Sequence, residues 1–183
     1  GRAGNHHVNR VPFAGLLRKM TFWLAMLLLV LQLALAVFPT LNLTNSFILF
    51  WEANLKFNFT LDNLTRLFLF CVALVLGIAL WLQRSLNRDR GRFFNFINLA
   101  LLMLAGLNGI VLVRDIFSLY VFLEITSVGS FILIAFDKDK DAFEAAFKYI
   151  IFSVVATVLM LTAIALLFIL AGDTSFSSLA EAI

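Results

Sequence analysis

One cysteine among 183 residues leaves no partner for a disulfide within the chain and no set of thiolates to hold a metal ion. Charge is nearly as scarce: Asp, Glu, Lys and Arg make up 14% of the sequence. The formal net charge of +3 is spread over several short stretches, and it forms no basic patch of the kind that binds nucleic acid. What remains is apolar. Hydrophobic residues account for 62% of the chain and the mean hydropathy is +1.00, where ordinary soluble domains are about 45–50% apolar. The composition makes lipid the solvent for most of the chain.

Five apolar runs carry that composition: residues 21–38, 64–82, 93–113, 116–136 and 142–171. A hydrocarbon core of about 30 Å takes about 20 helical residues. Inside lipid the backbone must pair with itself, so runs this apolar are helices, and the ~10-residue alternation of a membrane barrel is missing. The sequence therefore predicts an all-α integral membrane bundle of five spans over residues 21–173, with a basic tail (1–20) before it and a short tail (174–183) after it. Pro39 ends the first span, Gly106 and Gly109 soften the third, and Gly172 and Asp173 close the fifth, which exceeds the bilayer. Only Arg114 and Asp115 separate the third from the fourth, so those two form a tight antiparallel hairpin.

Such a bundle has a basic end. Arg2, Arg10, Arg18, Lys19, Arg84, Arg88, Arg90, Arg92, Lys138 and Lys140 fall there, against Lys56, Arg66 and Arg114 at the other. Cytoplasmic loops are enriched in Lys and Arg, so the expected topology has the N-terminus inside and the C-terminus outside. The basic tail reads either as an anchor enforcing this topology or as the remnant of a mitochondrial targeting region. His6 and His7 are adjacent, do not share a helix face, and read as solvated. N-x-[ST] patterns occur at Asn42, Asn58 and Asn63, and the aromatic stretch around Trp51 suits a short strand pair or an interfacial segment.

The fourth run contains Glu124, flanked by Leu123 and Ile125 and about 12 Å into its helix. A carboxylate at such a place costs roughly 2.5–3.5 kcal/mol on insertion scales. Tyr120 and Ser127 lie at i−4 and i+3, and the small Gly129 and Ser130 follow, giving a polar, closely packed face turned into the bundle. Glu124 is thus a functional candidate, with a hydrogen-bonded acid that fixes helix register as the rival reading. Lys148 is the second intramembrane charge. Asp141 and Glu144 read as a capping box, which sets Lys148 about 10 Å into the fifth helix. It is either a buried functional amine or a snorkelling lysine paired to Glu144 at i−4. Asp62 and Arg66 read as an interfacial pair. Asn95 and Asn98 line a wet path or hold helices together, and Asn108 also lies in the third span. Gly106, Gly109, Ser153 and Thr157 favour close helix contact, and with so few helices the chain is expected to need partners. Burial favours the neutral forms of a carboxylate and an amine, whereas an opposite charge nearby favours the ionised forms. Glu124 and Lys148 on neighbouring helices are therefore the minimum for a proton relay that distance can switch.

Three segments taken in order, FNFTLDNLTRLFLF (57–70), RDIFSLYVFLEITSVGSFILIAF (114–136) and DAFEAAFKYIIFSVVATVLMLTAIALLFILAGDTS (141–175), resemble the antiporter-like membrane subunits of respiratory complex I. The same family includes the large subunits of Mrp-type cation/proton antiporters and of membrane-bound hydrogenases. The similarity runs over residues 56–178 and is greatest to the branch of NADH:quinone oxidoreductase subunit 2. It implies that Glu124 matches the family's glutamate, Lys148 the lysine of an A-A-x-K-Y-like helix opening, and Asp62 to Leu64 the Asp-x-Leu entry to an earlier helix. It also implies that the five spans are the second to the sixth of a longer subunit. The family's broken seventh helix with its central lysine, and its second inverted repeat, lie beyond these spans, so the sequence reads as an N-terminal piece: a split-gene subunit, a naturally shortened homologue or a fragment.

The function expected from the resemblance is that of an N-terminal part of an antiporter-like subunit in a proton-pumping NADH:quinone oxidoreductase. Glu124 and Lys148 would form the proton relay, supported by Tyr120, Ser127 and Glu144. No cofactor is expected in this chain; quinone, flavin and iron–sulfur clusters are expected in partner subunits. The expected partners are other membrane subunits, including the missing C-terminal part, and lipid, with no nucleic acid. The expected location is the mitochondrial inner membrane or a prokaryotic cytoplasmic membrane. The alternatives are a piece of a cation/proton antiporter or of a membrane-bound hydrogenase module, and a non-catalytic polytopic scaffold or glycosylated surface protein.

Overall fold

The computed structural model describes residues 12–37, 62–86, 90–136 and 138–182. The sequons at Asn42 and Asn58, the stretch around Trp51, His6, His7, Arg2, Arg10 and Arg88 lie outside them. Among the described residues the helices are α1 (Pro12–Val37), α2 (Asn63–Leu86), α3 (Arg90–Leu112), α4 (Ile116–Ile134), α5 (Lys140–Ala171) and α6 (Phe176–Ala182). The first five are long and apolar enough to cross a membrane, and they coincide with the five runs read from the sequence. Helix α1 reaches back to Pro12, so residues 12–20 of the basic tail are helical. Proline suits a first helical position, where its missing N–H is not needed.

Each long helix packs on the next, and α1 also reaches α3. The core comprises Phe22, Ala25 and Leu29 of α1, Ala73 and Leu80 of α2, and Ile97, Ala100 and Leu104 of α3. Spacings of three, four and seven residues put each set on one stripe of its helix. The outer surfaces stay apolar, with Trp23, Leu27, Trp81, Phe152 and Ile169 all exposed. In lipid those surfaces gain nothing by hiding, so helix contacts depend on close packing and hydrogen bonds instead.

The α3–α4 hairpin shows what close packing requires. A Cβ at Gly106 would overlap the Thr126 hydroxyl, and one at Gly109 would overlap the Phe122 ring. On α4, Gly129 faces Met103, whose Sδ stands 2.7 Å from where a Cβ would be. Gly106 and Gly109, read from the sequence as contacts that point to partners, are used within the chain.

At one end of the bundle the connections are polar. Asp62, just before α2, pairs with Arg114 of the α3–α4 turn at 2.5 Å. Arg66, the partner expected from the sequence, instead donates its backbone N–H to the Asp62 carbonyl at 3.0 Å. Asp115 caps α4 by accepting the Ser118 N–H at 2.7 Å, which satisfies one of the donors left over in a first turn. Ser175 bridges back to Asp115, the Ile116 N–H donates to the Thr174 carbonyl at 3.0 Å, and the Phe176 N–H donates to the Arg114 carbonyl at 3.1 Å. The stretch read as a short terminal tail is thereby pinned to the hairpin and continues as α6.

The opposite end gathers Arg84, Arg92, Lys138 and Lys140. There the Arg84 guanidinium lies 4.4 Å over the Phe22 ring, and Phe96 meets Phe136 edge-on. The cap of α5 lies two residues before the expected one: Asp139 accepts the Ala142 N–H at 2.6 Å, and Asp141 sits in the first turn. A carboxylate there still complements the helix dipole. Gly172, in the left-handed region at φ 71°, ends α5 and donates its N–H to the Phe168 carbonyl at 2.8 Å.

Candidate functional site: a polar seam inside the membrane span

Helix α4 sets its polar face against α5. Glu124 and Ser127 stand three apart on α4, and Ser153 and Thr157 stand four apart on α5, so each pair occupies one helix face. The Thr157 hydroxyl donates to Oε1 of Glu124. The hydroxyls of Ser127 and Ser153 share a hydrogen bond of 2.7 Å. The two rungs run in opposite chain directions, as antiparallel neighbours require. Tyr120, one turn nearer the Arg114 end, packs by the Phe117 ring with centroids 6.3 Å apart.

Glu124 is half-buried, and among the described residues it forms no ion pair. A carboxylate accepts only, whereas a carboxylic acid both donates and accepts. The hydroxyl of Thr157 can serve either form by rotating.

Lys148 is placed elsewhere. Nine residues separate it from Thr157, about 13 Å along the axis and about 180° around it, so it lies on the opposite side of α5. Its amine donates to Oε1 of Glu144 at 2.6 Å, and the two side chains are 66% and 57% exposed. Counting about 20 residues back from Ala171 puts the edge of the hydrocarbon near residue 152, which leaves Lys148 and Glu144 at the membrane boundary. The structure brings Glu144 to Lys148 and Glu124 to Thr157, and it does not bring Glu124 to Lys148. Of the two readings of Lys148, the snorkelling one fits this geometry.

A second polar contact has no counterpart in the sequence reading. Gln32 of α1 donates to Oδ1 of Asn108 at 3.0 Å and to the Leu69 carbonyl at 2.9 Å, while the Asn108 amide donates back to Oε1 of Gln32 at 2.8 Å. This clasp joins α1, α2 and α3. The α4–α5 seam does carry a signal, since two polar pairs at helical spacing occur on consecutive spans. Ser153 and Thr157, which by sequence call for partners, are used within the chain, Ser153 by Ser127 and Thr157 by the Glu124 carboxylate.

The fold and the seam define a class: a polytopic helical membrane protein with a carboxyl group, hydrogen-bonded to a hydroxyl, between two spans. Comparison with known proteins shows which family that class resembles. Residues 113–183 match the family described as NADH:quinone oxidoreductase/Mrp antiporter, transmembrane region. The chain is 28% identical over 130 residues to a Na(+)/H(+) antiporter subunit of Bacillus subtilis, covering 70% of this chain and 26% of that protein. It is 36% identical over 100 residues to an NADH-quinone oxidoreductase subunit of Desulforudis audaxviator, covering 55% of this chain and 19% of that protein. Among solved structures, a chain of the membrane-bound sulfane sulfur reductase, an archaeal respiratory membrane complex, superposes with a TM-score of 0.61 over 90% of this chain and 38% of that one, at 21% identity. Residues 113–183, which hold α4, α5 and the whole seam, are thus similar to the antiporter-like membrane subunits of the complex I and Mrp family. The chain spans about a quarter of the length of the antiporter relatives it matches.

Proposed function

We propose that this chain is part of an antiporter-like subunit in a complex-I-type proton pump, and that Glu124 is the group in it that takes up and releases protons. The observation that carries this reading is the Glu124–Thr157 contact: an acid held in the membrane span by a neutral hydroxyl, with no cation fixing its charge among the described residues. Lys148 takes a different part from the one read in the sequence. It sits with Glu144 on the outward side of α5, so its charge acts across a contact with a neighbouring subunit and not directly on Glu124. In this reading quinone, flavin and iron–sulfur clusters belong to partner subunits. The relatives named are bacterial, which favours a prokaryotic cytoplasmic membrane over a mitochondrial one. The excess of basic residues at one end favours an inside N-terminus.

A second reading, part of a cation/proton antiporter, draws on the longer match to the Bacillus subtilis antiporter subunit. The chains that co-purify in mild detergent separate the two: redox subunits for the pump, none for the antiporter.

The test of the Glu124 role is Glu124→Gln in the native complex. The amide keeps the size and the hydrogen bond from Thr157, and a neutral group costs less in lipid than an ion. Assembly should persist while proton transport falls by on the order of 10², the scale of a lost proton-transfer group. Normal transport in an assembled Glu124→Gln complex would overturn the reading.

A further inference from the structure

At the basic end, the first turns of α3 and α5 and the last turn of α4 enclose a cavity of about 910 Å³. Its polar lining is Arg92, Asn95 and Asn98 of α3 and Lys138 of the α4–α5 turn, and among the described residues no carboxylate lines it. Neither Arg92 nor Lys138 belongs to an ion pair among the described residues. The rest of the wall is apolar. It includes Phe131 and Phe147, and Phe147 is 63% exposed on the outer surface of the bundle. The cavity therefore joins a cationic, amide-rich mouth to a wall at the depth where acyl chains begin.

Lys138 adds a second observation. Its φ of 58° lies in the left-handed region, which Gly or Asn adopts at less cost. A cation is kept at a turn where the backbone favours a smaller residue.

We propose that this cavity binds an anionic phospholipid. The phosphate is held by Arg92 and Lys138, the polar headgroup atoms by Asn95 and Asn98, and an acyl chain lies against Phe131 and Phe147. Basic pockets between transmembrane helices suit anionic headgroups, each cation near the surface contributing about fivefold in affinity. A free phosphate shares the headgroup chemistry but has no use for the apolar wall, so lipid is the source the cavity fits. The site does not depend on which ion the protein moves.

Native mass spectrometry of the full chain, released from nanodiscs of phosphatidylglycerol or of phosphatidylcholine with the same acyl chains, tests this. Phosphatidylglycerol should be retained in preference. Arg92→Gln and Lys138→Asn should each weaken its retention about fivefold and that of phosphatidylcholine, whose choline already offsets the phosphate charge, by less. Asparagine is chosen because it tolerates positive φ. Arg84→Gln removes the same charge from the same end, but Arg84 stacks on Phe22, and retention should not change. Inorganic phosphate should fail to displace the lipid. Equal retention of the two lipids by the unaltered chain, a result that needs no variant to fold, would overturn the proposal. So would an equal loss in all three variants, or displacement by phosphate, which would mark an adventitious anion only.

Discussion

At the residue scale the Glu124 carboxyl is held by a single hydroxyl, that of Thr157. Thr157→Val preserves shape and removes the donor to Glu124. An interhelical hydrogen bond in lipid is worth about 0.6 kcal/mol and at most about 1.7. The variant should therefore assemble with a small loss of stability, and transport should fall less than in Glu124→Gln, because the carboxyl itself remains. Chemical unfolding in detergent and transport in vesicles read the two effects separately. Lys148→Ala breaks an exposed i, i+4 pair worth about 0.5 kcal/mol or less, so the stability of the chain should not change measurably. Any loss of transport in that variant should appear only in the assembled complex. Outside the span, Asp173 is held below its ordinary value of 3.8, first by the Ser178 hydroxyl and then by the Thr174 N–H. A carboxyl depressed in the folded chain stabilises when ionised, so the contribution is present above about pH 4 and is lost as pH falls through the lowered value. Amide exchange at residues 174–182, corrected for its intrinsic pH dependence, should report loosening of α6 only in that acid range, and Asp173→Asn should remove the pH dependence.

At the element scale the α3–α4 contact depends on glycine. Gly109→Ala should cost about 1–3 kcal/mol, the usual range for overpacking, because its Cβ meets the Phe122 ring. Gly77→Ala is the control. Its nearest neighbour would be Leu29 Cδ1 at 4.0 Å, so it should be neutral or slightly stabilising through helix propensity. Both are measurable by unfolding in mixed micelles. The same elements show what the sequence makes legible. Apolar runs of span length can only be helices in lipid, so α1 to α5 are readable, as is the local Glu144–Lys148 pair. The cap of α5 is ambiguous by sequence because Asp139 and Asp141 both offer a capping carboxylate, and periodicity does not choose between them. Asp62–Arg114, Gln32–Asn108 and Glu124–Thr157 join residues 52, 76 and 33 positions apart. Such pairs depend on how each helix is rotated in the bundle. A helix that is apolar all round carries almost no rotational signal.

At the scale of the whole molecule, α5 stands at the edge. Its span is 6% buried, against 28% for α3, so most of its surface is left for lipid or for other chains. A chain similar to subunits of multi-subunit membrane complexes that exposes this face, with Glu144 and Lys148 on it, should be recovered from native membranes in a larger assembly. A monodisperse single chain would contradict that. Topology is open to a direct check in a Cys71→Ser background. Asp139→Cys should label from the inside and Glu181→Cys from the outside with an impermeant reagent, and labelling of both from one side would refute the five-span arrangement. Protonation of Glu124 under turnover is directly visible to infrared difference spectroscopy of the assembled complex. A carboxylic C=O difference band should appear, vanish in Glu124→Gln and shift in Thr157→Val. A spectrum unchanged by either substitution would contradict a protonation change at Glu124.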